Sequence, residues 1–96
     1  MLVSRKIKVG KKQVLAVLLK LNLKNLIVLS GSKGYVMCGY LNLSAANKFS
    51  DVAVKITGVS TIKQALAAKV HSASYSAKKI GIKKGKAIKD VLKIIA

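Results

Sequence analysis

Few residues in this chain could do chemistry: one cysteine, one histidine and the acids Asp51 and Asp90, set among nineteen lysines and arginines. Cys38 is the sharpest candidate. It falls near the end of an expected strand and is followed by Gly39, which lets a ligand or another backbone approach; Asn42 then opens a short helix. Free N–H groups and the positive dipole end at such a junction would lower a thiol pKa and hold an anion, as a nucleophilic or redox cysteine requires. A buried cysteine also serves as a small apolar filler of a core. The base that a cysteine nucleophile would recruit is His71, the single histidine, and its position along the chain does not say whether the two meet.

Asp51 and Lys55 stand four apart, hence on one side of a strand, and could bring an acid and a base into one pocket. Asp51 could equally cap a segment or pair with some of the many lysines. One histidine, one cysteine and two aspartates do not supply the four clustered ligands usual for zinc, so no metal and no cofactor are expected. Gly31-Ser32-Lys33-Gly34 has the composition of a phosphate cradle but not the longer P-loop spacing, and reads as a hairpin turn.

A second constellation is basic. Lys78, Lys79, Lys83, Lys84 and Lys86, with Lys89 and Lys93 beyond them, surround a helix–turn–helix-like break and could contact successive phosphates. Tyr35, Tyr40, Phe49 and Tyr75 are too few for a base-stacking platform, so nucleic acid would be held through its backbone, salt-sensitively and with little sequence readout. The formal charge of +17 makes nucleic acid, an anionic membrane surface or a phosphorylated ligand the natural partner classes.

The elements that must position these residues follow from periodicity. Val3, Ile7 and Val9 alternate with Ser4, Lys6 and Lys8, a half-exposed strand whose apolar side is broken by Arg5. After a turn at Gly10, the stretch Gln13 to Leu21 is apolar on both faces: Val14, Ala16 and Leu18 on one, Leu15, Val17 and Leu19 on the other. One layer of helices covers only one face, and the simplest cover for the second is another subunit. Leu26 to Leu29 and Tyr35 to Tyr40 continue an antiparallel meander. A short helix capped by Asn42 follows, with Ala45, Ala46 and Phe49 inward, and then a strand over Val52 to Thr57.

Thr61 and Gln64 form a capping box for an amphipathic helix of about two and a half turns. Ser72 or Ser74 caps another, with Ala73, Ala77 and Ile80 inward, stopped by Gly81. The last helix, from Ala87 to Ile95, is the clearest. The expected fold is α+β: an N-terminal antiparallel β meander followed by a short helix, a further strand and C-terminal helices. A single domain over residues 1–96 is expected, small enough to gain from association.

Three segments, GYVMCGYLN, DVAVKITGVSTI and the AKKIGIKKG of Ala77 to Gly85 ahead of an amphipathic C-terminal helix, resemble the YunC-like proteins of bacteria and archaea. The likeness spans residues 33–96 and is looser over residues 1–32. It implies an α+β domain whose N-terminal β region mediates tetramerisation, and it transfers no catalytic residues. This chain departs from the family in having almost no acids.

A lone cysteine fits a reducing compartment, and the basic start lacks both a long apolar run and a cleavage site, so a cytoplasmic protein without a membrane span is expected. The leading expectation is a non-enzymatic homo-oligomeric binding module. Its site lies near residues 34–59, with Cys38, Gly39, Asn42, Asp51 and Lys55 as ligand-binding candidates. The alternatives are a phosphate-directed nucleic-acid-binding protein and a cysteine-dependent enzyme or redox protein using Cys38.

Overall fold

The computed structural model describes residues 2–96 and forms one six-stranded sheet in the order of the chain, β1 to β6. Strands β1 (Leu2–Val9), β2 (Lys12–Lys20), β3 (Asn25–Ser30) and β4 (Tyr35–Met37) make the expected antiparallel meander. Helix α1 (Leu43–Lys48) then carries the chain over to β5 (Ala53–Lys55), which runs parallel to β4. Helix α2 (Ile62–Leu66), the short antiparallel strand β6 (Ser72–Ala73), α3 (Tyr75–Lys79) and α4 (Ile88–Ile95) complete the α+β fold.

The pleat sorts side chains between two faces. Register places Ile7 opposite Val14, Ala16 opposite Leu29, Leu29 opposite Val36 and Val36 opposite Val54, so these residues share one face. Helices α2 and α4 cover it through Ile62, Ala65, Ile88, Val91, Leu92 and Ile95, all buried. Each aliphatic side chain fully buried there contributes roughly 1.5–3 kcal/mol. On the other face α1 lies over β4 and β5, where Leu41, Ala46 and Ala53 form a second small core with Tyr35, Met37 and Leu43. Beyond α1 that face is open. Leu15 is exposed, and Val17, Leu19, Leu26 and Val28 are only half-buried. This is the two-sided apolar strand expected from Gln13 to Leu21, now seen to be one edge of a larger uncovered patch.

Turn chemistry sets the connections. Gly10, with φ of 62°, supplies the left-handed residue of the two-residue β1–β2 hairpin. The Gly31 to Gly34 turn closes with the Gly31 N–H donating to Gly34 O at 2.8 Å. Two further donors of the turn go to α4: Lys33 N–H reaches Ile95 O at 2.8 Å and the Ser32 hydroxyl reaches Ala96 O at 3.1 Å. The turn thereby caps the carbonyl end of a helix.

Four side chains or lengths depart from expectation. Phe49 is 76 % exposed because α1 ends there in a Schellman closure: Asp51 N–H returns to Ala46 O and Ser50 N–H to Asn47 O, with Ser50 at φ of 56°. Helix α2 stops at Leu66, well short of two and a half turns, since Val70 leaves the helix to exchange hydrogen bonds with Gly85 and Lys86. Ile80 is exposed, and Ala73 lies on β6 rather than on a helix, so only Ala77 of that expected stripe is an inward helix residue.

A methyl group added at Gly31 would overlap the carbonyl of Ile95, which cannot move without uncapping α4. Gly31→Ala is expected to destabilise the fold by about 1–3 kcal/mol, the usual cost of overpacking, as measured by urea denaturation.

Candidate functional site

Among the described residues, strands β4 and β5 are the only parallel neighbours in the sheet. Beyond their carboxyl ends the chain diverges: from β4 it turns to α1 on one face, and from β5 to α2 on the other. In open sheets a crevice forms where adjacent strands send their connections to opposite sides. Here it is a cleft of about 520 Å³.

Three turns build its walls. The turn after β4 contributes Cys38, Gly39 and Tyr40, and is closed by Leu41 N–H donating to Cys38 O at 3.0 Å. The segment after β5 contributes Thr57, Gly58, Val59 and Ser60. The β2–β3 turn, closed by Leu21 N–H to Lys24 O at 2.9 Å, contributes Leu23, Lys24 and Asn25. The Asn25 side-chain amide donates to Ser60 O at 2.8 Å and ties two of these turns together.

Cys38 forms part of the floor and is 5 % exposed. Its thiol is engaged on both sides by β3: Ile27 N–H donates to Sγ at 3.4 Å, and Sγ donates to Asn25 O at 3.7 Å. The thiol thus binds the end of β4 to β3. His71 does not join it. It is exposed, with Nδ1 3.1 Å from the Ser72 hydroxyl and its backbone N–H on Lys55 O at 2.9 Å, so β5 stands between the two residues. Two strand spacings, about 10 Å, separate them.

The other candidates lie away from the cleft. Asn42 Oδ1 accepts from Ala45 N–H at 3.2 Å and caps α1. Lys55 sits half-buried, paired in register with Met37 on the α1 side of the sheet. Asp51 is on that side too, where its carboxylate accepts a hydrogen bond from the Tyr35 hydroxyl at 3.1 Å. No ion pair joins Asp51 to Lys55; among the described residues the ion pair present is Asp90 with Lys93, at 3.8 Å on the surface. Burial, then the hydrogen bond to Asp51, then its charge, hold the Tyr35 phenol above its ordinary value.

Beside this pair, Ser74 is fully buried and its hydroxyl accepts from Ala53 and Ala77 N–H while donating to Asp51 O at 2.6 Å. Asp51 is thereby held by its backbone as well as its carboxylate. Cys38, Asp51 and His71 surround no common pocket, and no group of three potential metal ligands occurs among the described residues.

The basic constellation is displayed as a surface. Lys78 and Lys79 end α3, the Lys78 ammonium lying 5.8 Å from the Tyr75 ring centroid. Lys83 and Lys84 are exposed at a turn anchored by buried Ile82 and closed by Lys86 N–H to Lys83 O at 3.1 Å. Lys86 is half-buried, its carbonyl accepting from Val70 N–H. No helix among the described residues is long and apolar enough to cross a membrane.

Of the expected candidates, Cys38 and Gly39 line the cleft; Leu23, Lys24, Asn25 and Ser60, which also line it, come from outside residues 34–59. Tyr40, Thr57, Gly58 and Val59 lay inside that segment, with no signal beyond the paired turns to mark them. Three measurements test this geometry. Alkylation of Cys38 is expected to be slow in the folded protein and to accelerate many-fold in denaturant; equal rates would show that the thiol is not held by β3. The Tyr35 phenol is expected to titrate above the ordinary value of about 10, and Asp51→Asn to bring it down, as read by phenolate absorbance. The folded state holds that proton more tightly than the unfolded chain, so this stabilisation is full below about pH 10 and is lost as pH rises through the folded value. Thermal melts of the wild type and Tyr35→Phe should diverge in that alkaline window.

Comparison with known proteins gives the family and the fold. Residues 37–95 match the family model described as a domain of unknown function, DUF1805. The chain is similar to the uncharacterised protein YunC of Bacillus subtilis, 37% identical over 81 residues that make up 80% of each chain. Its fold is similar to the crystal structure of TA1206, a protein of unknown function from Thermoplasma acidophilum. That match has a TM-score of 0.96 and 38% identity, over 100% of this chain and 94% of the other. The match to the family model covers the strand-end turns from Cys38 to Ser60 as well as the C-terminal helices, and on this evidence the chain belongs to the DUF1805, YunC-like family.

Proposed function

We propose that this protein is a non-enzymatic, cytoplasmic homo-oligomer that binds a ligand in the cleft at the ends of β4 and β5. The observation supporting this reading is a division of labour between two surfaces. One is an apolar sheet face over β2 and β3 that no helix among the described residues covers, with Leu15, Val17, Leu19, Leu26 and Val28 side by side in register. The other is a cleft that has volume and polar main chain but no assembled catalytic set, since its thiol is tied to β3 and the histidine is elsewhere.

Contiguous apolar surface of this kind is normally covered by a partner. A second copy of the same face is self-complementary, and association through the N-terminal β region as a tetramer is what the YunC-like resemblance implies. The cleft opens at the strand ends rather than on the sheet face, so such association leaves it accessible.

Static light scattering at micromolar concentration is expected to give a multiple of the chain mass, and Val17→Lys, a charge in the middle of the patch, to give monomers with unchanged far-UV circular dichroism. A wild-type monomer under these conditions would refute the oligomer.

A further inference from the structure

We infer that the cleft takes a small oxyanion, a carboxylate or a phosphate, gripped by main-chain amides of two turns and by Lys24. This inference rests on reading the cleft as the ligand site and adds the chemistry of the ligand.

The pattern of satisfied and unsatisfied amides carries it. After β4, Cys38 N–H donates to Ile27 O and Leu41 N–H to Cys38 O, whereas the two amides between them, on Gly39 and Tyr40, meet no acceptor among the described residues. After β5, Ile56 N–H donates to Met37 O and Ser60 N–H to the Gln64 side chain, whereas the three amides between them, on Thr57, Gly58 and Val59, meet none. All five residues line the cleft. The donors without an acceptor at these strand ends therefore belong to the two turns that line it. Clustered main-chain N–H groups are a recurrent means of holding oxyanions.

Charge points the same way. Among the described residues Lys24 is the one charged residue lining the cleft, and neither acid competes there: Asp51 accepts from Tyr35 across the sheet, and Asp90 pairs with Lys93 on α4. Access is open as well. A Cβ built on Gly39 or Gly58 meets no atom within 4 Å, so a ligand can come up to bare backbone at both turns, and Gly58 adopts φ of 71°, a conformation side chains disfavour. Leu23, 92 % exposed, stands at the rim as an apolar contact for the ligand's carbon skeleton.

The test is an amide-resolved NMR titration of the intact protein at constant ionic strength with three probes: inorganic phosphate, butyrate and its neutral isostere butyramide. Saturable shifts of the Gly39, Thr57 and Gly58 amides are expected with an oxyanion and not with butyramide. A response to phosphate alone would assign a phosphorylated ligand, and one to butyrate alone a carboxylic acid; either supports the inference. Gly39→Val, which projects a side chain into open space, should abolish the shifts. Lys24→Gln should weaken binding by about tenfold or more, the loss of one charge-assisted contact, while Lys83→Gln on the remote turn leaves it unchanged.

If butyramide moves the cleft amides as far as butyrate does, the cleft binds ligands but the oxyanion inference is overturned. If none of the three probes moves them, the inference and the reading of the cleft as a site fall together. Anion-induced shifts confined to lysine-bearing surface segments, and indifferent to Gly39→Val and Lys24→Gln, would also overturn the inference.

Discussion

The parallel pairing of β4 with β5, Tyr35 opposite Ala53 and Met37 opposite Lys55, is the constraint from which the rest of the architecture follows. Parallel strands cannot be joined by a hairpin, so the chain must leave the sheet, cross it and return. Helix α1 makes that crossing on one face. Having used that face, the chain goes on from β5 to the other, where α2 and α4 find the apolar residues of β1 to β4. A cleft at the diverging strand ends is a by-product of this route. So is the uncovered patch over β2 and β3, since a six-residue α1 reaches across only part of its face.

The small structure is held at its seams by polar groups that each serve more than one element. Ser74 is bonded at once to β5, α3 and the backbone of Asp51. The Cys38 thiol closes β4 onto β3, and the Gly31 to Gly34 turn caps α4. A hydrogen bond to a buried group matters chiefly because leaving that group unmet is costly, and no buried side-chain polar atom among the described residues lacks a partner. Both acids are likewise spoken for. The nineteen basic side chains are thus almost unbalanced within the chain, and a field of +17 is left to act on whatever approaches.

Much of this was legible in the sequence. The strand alternation of Val3 to Val9, the two-faced stretch from Gln13 to Leu21, the Asn42 cap, the Thr61–Gln64 capping box and the amphipathic C-terminal helix each depend on neighbours a few residues apart, and each has its counterpart in the structure. The extent of α2 and the exposure of Phe49 and Ile80 were not legible. Val70 is drawn from the helix by Gly85 and Lys86, and Phe49 is turned out by a closure that uses a left-handed Ser50 where glycine is usual.

The candidate site divides in the same way. By itself the sequence determined the inventory: a single thiol, a single imidazole, two carboxylates, an excess of lysine, and a glycine-bearing turn after each of two strands. Only the tertiary structure decided which of these meet. It placed Cys38 against β3 and away from His71, gave Asp51 to Tyr35 in place of a lysine, and brought the turn holding Lys24 to the ends of β4 and β5. The physical reason is that local patterns specify pleat, helix face and cap through contacts of short range. Strand order and direction join residues far apart in the chain, and no periodicity records that β4 and β5 run parallel.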